Sequence, residues 1–128
     1  MKKAISCLLV LVIVLTIFTA CGEGKPTNIS DDHYEFGCKV VDIIDQYMDN
    51  TIDADTAYTR IGNLIRTDKD KLPETEFGDP THAAGSTVEL YTVLVWNELS
   101  SIDYGTGSQQ ELKDYRNKIA DAVGRKSR

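Results

Sequence analysis

Thr87-Val88-Glu89-Leu90-Tyr91-Thr92-Val93-Leu94-Val95-Trp96 is the stretch on which the fold class turns. Its β-branched and aromatic content suits a strand. Its surroundings argue for a helix. Ala84, Val88, Tyr91, Val95, Leu99 and Ile102 recur at helical spacing, and the pattern runs to Tyr104 without a breaker, too long for an ordinary strand. Asp79-Pro80 reads as a cap followed by Pro at the first helical position. Leu90, Val93, Leu94 and Trp96 fall off the main stripe, so this helix is apolar on several sides and is expected at the centre of a bundle.

The flanking segments follow the same period. From about Asp31 to Asn50, Tyr34, Gly37, Val41, Ile44 and Met48 form an apolar stripe widened by Val40 and Tyr47. Ser30 is placed to cap it, with Asp31 and Asp32 at the positive end of the helix dipole. Gly37 on the apolar face leaves room for another helix to approach, and Cys38 beside it reads as a small buried hydrophobe. A second helix is expected from Ala54 to about Thr67, capped by Asp53, with Ala57, Tyr58, Ile61, Leu64 and Ile65 inward. Residues 68–79, charged and containing Pro73 and Gly78, read as a loop. Ser108-Gln109-Gln110-Glu111 is a capping box that opens a last helix, and Gly124 stops it ahead of Arg125-Lys126-Ser127-Arg128, a basic tail expected to be solvated. Four helices with short turns and one longer loop imply an all-α fold, a small four-helix bundle over residues 30–128.

The N-terminus is of a different composition. Lys2 and Lys3 precede an apolar run from Ala4 to Ala20, and no acidic residue appears before Glu23. A positive start, an apolar stretch and a small-residue exit describe a secretory signal. The exit reads Phe18-Thr19-Ala20-Cys21-Gly22 and resembles the lipobox of a bacterial lipoprotein signal peptide, with Phe18 where Leu is usual. The resemblance covers residues 1–21 alone. It implies a signal peptide over 1–20, cleavage before Cys21, lipid on the Cys21 sulfur, and a mature protein held at the cell membrane on its extracytoplasmic side. The apolar run taken by itself also fits an uncleaved membrane anchor, being near the shortest length that spans a bilayer, or a secretory signal without lipid. Residues 21–29, with Gly22, Gly24 and Pro26, read as a lipidated Cys and flexible linker.

Charge and cysteine usage narrow the function classes. The chain of 128 residues holds 14 Lys and Arg against 20 Asp and Glu, a net charge of −6. Loss of Lys2 and Lys3 with the signal leaves 12 against 20, a net −8. Such a surface lacks the basic stripe a nucleic-acid binder needs and is repelled by anionic lipid headgroups, so lipid acts as a tether. With Cys7 in the signal and Cys21 lipidated, Cys38 remains alone, and no internal disulfide framework is available.

Catalytic and metal motifs are missing from the sequence. His33 and His82 have no metal-ligand spacing and read as solvated or cap-adjacent histidines. The acids of 49–55 suggest a calcium loop, but Ala54 stands where that loop needs Gly and Arg60 where it needs the bidentate Glu. Neither a metal site nor a cofactor is expected. Trp96 reads either as a core residue of the central helix or as the anchor of a binding face. These readings imply a non-catalytic interaction module whose partner is an envelope or exported protein. Two alternatives stand beside it: a small inhibitor or exclusion lipoprotein, and a small enzyme or ligand-binding domain using a cleft between helices. Replacement of Cys21 by Ser is expected to abolish incorporation of a radiolabelled fatty acid into the protein in growing cells; label retained by the mutant would contradict the anchor.

Overall fold

The computed structural model describes residues 24–128. The signal segment, Cys21 and the first linker residues lie outside the described residues. Within them the order is α1 (Asp31–Met48), α2 (Ala54–Asp68), a 3₁₀ turn (Lys69–Lys71), α3 (His82–Asp103) and α4 (Gln109–Ala122), with no strand among the described residues. No helix there is long and apolar enough to cross a membrane.

The helices begin where side chains satisfy their first amides. Ser30 Oγ accepts from His33 N, Asp53 from Thr56 N, and Ser108 Oγ from Glu111 N. The box at Ser108 closes differently from its sequence signature: the Ser108 amide donates to Glu98 on α3, not to Glu111. α3 starts later than Asp79-Pro80 suggests. Asp79 accepts both the amide of Thr81 at 2.7 Å and its hydroxyl at 2.6 Å, closing a turn ahead of the helix. The Thr81 hydroxyl and amide hold the Asp79 carboxyl below its ordinary value. Through residues 87–96, Thr87 and Thr92 donate their hydroxyls to the carbonyls of Ala83 and Val88, so these β-branched residues sit in a continuous helix.

α1 and α3 each pack on the other three elements of the bundle, while α2 and α4 stand apart on its long diagonal. The short diagonal rests on close approach. A Cβ on Gly37 would lie 2.7 Å from Val123 and 3.3 Å from Val88. The core runs through Val40, Val41 and Ile44 of α1, Ile61 of α2, Val88, Val95 and Leu99 of α3, and Leu112 and Ile119 of α4, all fully enclosed. Each contributes about 1.5–3 kcal/mol by leaving water. α1 buries more of its circumference than its stripe implies: Phe36, Cys38 and Ile43 join the core, and Tyr34, Tyr47 and Met48 stay half-buried at its edge. Ile29, grouped by sequence with the flexible linker, is also in the core.

The basic tail is docked rather than frayed, although Lys126, Ser127 and Arg128 remain exposed. Arg116 of α4, 3% exposed, grips Asp45 of α1 through Nε at 2.9 Å and Nη2 at 3.0 Å. Its Nη1 donates to the Lys126 carbonyl at 2.7 Å, which turns the tail back along α1. There Arg125 meets Asp42 at 2.6 Å and Arg128 meets Asp49 at 2.6 Å. Asp42 and Asp45 of α1, with Asp49 just after it, are thus the dock for the C-terminus. Arg116→Ala should lower the unfolding free energy by about 3 kcal/mol, because Asp45 is left largely buried without its bidentate partner. Urea denaturation measures this, and a loss below about 1 kcal/mol would show that Arg125 and Arg128 suffice to hold Asp45.

Candidate functional site

Three places in the bundle hold polar or aromatic groups in specific arrangements: the His33 bridge, a polar cleft beside it, and a groove over α2 and α3.

His33 is fully buried, cap-adjacent rather than solvated, because the N-terminal turn of α1 points its ring at α3. Nδ1 lies 2.8 Å from Ser30 Oγ and Nε2 lies 2.7 Å from Glu89 Oε1. Ser30 Oγ already accepts the His33 amide, so its own hydrogen is available to Nδ1. Nε2–H then donates to the carboxylate, and a neutral ring is satisfied at both ends. The ring fits because residue 85 is Gly: a Cβ there would lie 3.0–3.2 Å from three imidazole atoms. His33 is therefore a strut between α1 and α3.

The cleft opens between the loop after α2 and the start of α3. It holds about 580 Å³ and is lined by Lys69, Asp70, Leu72, Pro73, Glu74, Thr75, His82, Ser86 and Glu89. His82 Nδ1 lies 2.9 Å from the Thr75 carbonyl, and the Phe77 ring meets His82 edge-on at 6.1 Å. These contacts pin the loop to α3. Phe77 itself is 97% exposed at the loop's crest. No group of His, Cys, Asp and Glu among the described residues is arranged to hold a metal ion.

The groove is the more apolar of the two openings. It holds about 430 Å³ and is lined by Tyr58, Thr59, Gly62, Asn63, Ile65, Arg66 and Trp96. Tyr58 and Trp96 stack with ring centroids 5.1 Å apart and planes within 8°. Gly62, one turn after Tyr58, supplies the notch for the indole: a Cβ there would come within 3.1 Å of Nε1. Trp96 is half-buried, so it belongs wholly neither to the core nor to the surface. Among the described residues, its Nε1 is the buried side-chain polar atom without a hydrogen-bond partner. An orphan of this kind costs about 1–3 kcal/mol.

Sequence reasoning singled out Trp96 but missed Tyr58, Asn63 and Arg66 as its surroundings, and it missed Glu89 and Gly85 as the partners of His33. Two signals pointed to them: Gly62 and Gly85 are glycines inside helices, where each costs about 1 kcal/mol relative to Ala unless something packs close.

Comparison with profiles of known protein families, with curated proteins and with solved structures finds no match.

The strut makes a double-mutant test. Gly85→Ala should cost about 1–3 kcal/mol in the native background, since a ring held at both nitrogens cannot move aside. In a His33→Ala background the added cost of Gly85→Ala should fall close to zero. Additive losses across the four denaturation curves would contradict the packing of Gly85 on the imidazole.

Proposed function

We propose that this chain is a lipid-anchored extracytoplasmic bacterial protein that holds a non-catalytic interaction surface at the outer face of the membrane, and that the surface is the Tyr58–Trp96 groove. The anchor reading rests on Lys2-Lys3, the apolar run and Ala20-Cys21. The observation that carries the binding reading is the stacked Tyr58–Trp96 pair, open along one side on a groove. Large, half-buried aromatic side chains in a notch are what a binding surface uses as anchors. The partner is an envelope or exported protein.

A second reading has its own observation. The cleft that brings His82, Ser86 and Glu89 together with Asp70 and Glu74 is roomy enough for a small ligand, and it supports a ligand-binding or enzymatic domain. Against it, both ring nitrogens of His33 and Nδ1 of His82 are already committed to structural bonds.

A photocrosslinking side chain placed at Asn63, on the groove rim, tests the first reading in cells that carry the intact Cys21 anchor. The control position is Lys118, exposed on α4 across the bundle. One protein adduct from Asn63, absent from Lys118 and weakened by Trp96→Ala, is expected. Adducts of equal yield from both positions, or none from Asn63, would overturn the groove as the contact face.

A further inference from the structure

The groove has a charge character at odds with the rest of the chain. The protein is acidic, yet residues 56–67 of α2 and residues 90–97 of α3 contain no Asp or Glu. Arg66 stands on the groove's rim, exposed, and its guanidinium is bonded to the Asn63 side-chain amide oxygen. Arg116 and Arg125 meet carboxylates of α1, and Arg128 meets Asp45 of α1 and Asp49 just beyond it. Arg60, on the other flank of α2, is likewise bonded to an amide, that of Gln46. An exposed guanidinium that, among the described residues, is hydrogen-bonded to a neutral amide keeps its charge available to an incoming anion.

From these observations we infer that the groove takes an acidic, apolar segment of a partner protein: an extended or helical peptide that lays an aromatic or aliphatic side chain against Trp96 and brings a carboxylate to Arg66. This inference rests on the groove being the interaction surface. Charge complementarity selects the occupant. The segment's acid would face like charge over most of this domain and finds an unneutralised cation at the groove, which orients it there. Apolar area beside Trp96 supplies affinity, and the bidentate geometry of Arg66 toward a carboxylate supplies register. A basic segment would meet Arg66 with the wrong sign, and two copies paired groove to groove would bring two cationic rims together.

The test uses the full lipidated chain in lipid nanodiscs and a displayed library of random short peptides. Peptides enriched on the native protein are expected to carry an aromatic or large aliphatic residue near Asp or Glu. Their affinity should fall at least about tenfold on Trp96→Ala, the size of effect that truncating a central aromatic anchor has. Arg66→Glu, at an exposed position, should invert the preference toward Lys and Arg. Enrichment of basic or uncharged peptides on the native protein would overturn the inference, and so would an unchanged preference on Arg66→Glu. Self-association of the protein through the groove, blocked by Trp96→Ala, would overturn it as well. Failure here alongside a specific Asn63 adduct in cells removes only the acidic chemistry of the partner; loss of the adduct removes the interaction reading itself.

Discussion

α1 and α3 meet across the short diagonal of the bundle because two glycines let them. Gly37 admits Val88 and Val123 against the backbone of α1, and Gly85 admits the imidazole of His33 against the backbone of α3. With a side chain at either position the diagonal would widen, and the enclosed core of Val40, Val41, Ile44, Val88 and Val95 would open a void. The two contacts differ in chemistry. The Gly37 contact is dispersion alone. The Gly85 contact seats a polar strut whose nitrogens bind Ser30 and Glu89, so the cap of α1 and the middle of α3 are joined through one ring.

Around that diagonal the bundle is closed on one side and open on the other. The closed side is electrostatic: Arg116, Arg125 and Arg128 gather on Asp42, Asp45 and Asp49 and fold the C-terminus against α1. Because Arg116 is buried and bidentate, this cluster specifies where α4 lies against α1 more than a surface ion pair does. The open side lies over α2 and α3. There Tyr58 and Trp96 cover the edge of the core without sealing it, and Arg66 on the rim is bonded to the amide of Asn63 rather than to a carboxylate. The open side is therefore apolar in its lining and cationic on its rim, on an otherwise acidic chain.

The helices were legible in the sequence because each is specified locally. Ser30, Asp53 and Ser108 cap through their own side chains, and apolar periodicity needs no knowledge of the partner helix. Even the β-rich run of α3 was resolved by its length, and its threonines return their hydroxyls to the carbonyl four residues back. The start of α3 was misplaced because an Asp-Pro pair followed by Thr serves equally to close a turn. Cys38 was read as buried, and it is.

What the sequence by itself determined was the all-α class, the helix order and the acidic balance of the chain, all of which are properties of neighbours along the backbone or of totals. Only the tertiary structure decided that His33 is a strut, that the basic tail docks on α1, that Ile29 belongs to the core, and that Trp96 stacks on Tyr58 over Gly62. Each of these joins groups that the fold, not the local sequence, brings together. His33 and Glu89 are 56 residues apart, and Arg116 and Asp45 are 71 apart. No local period encodes which distant carboxylate a cation meets, because that pairing follows from how the helices pack and not from the spacing of residues within any one of them.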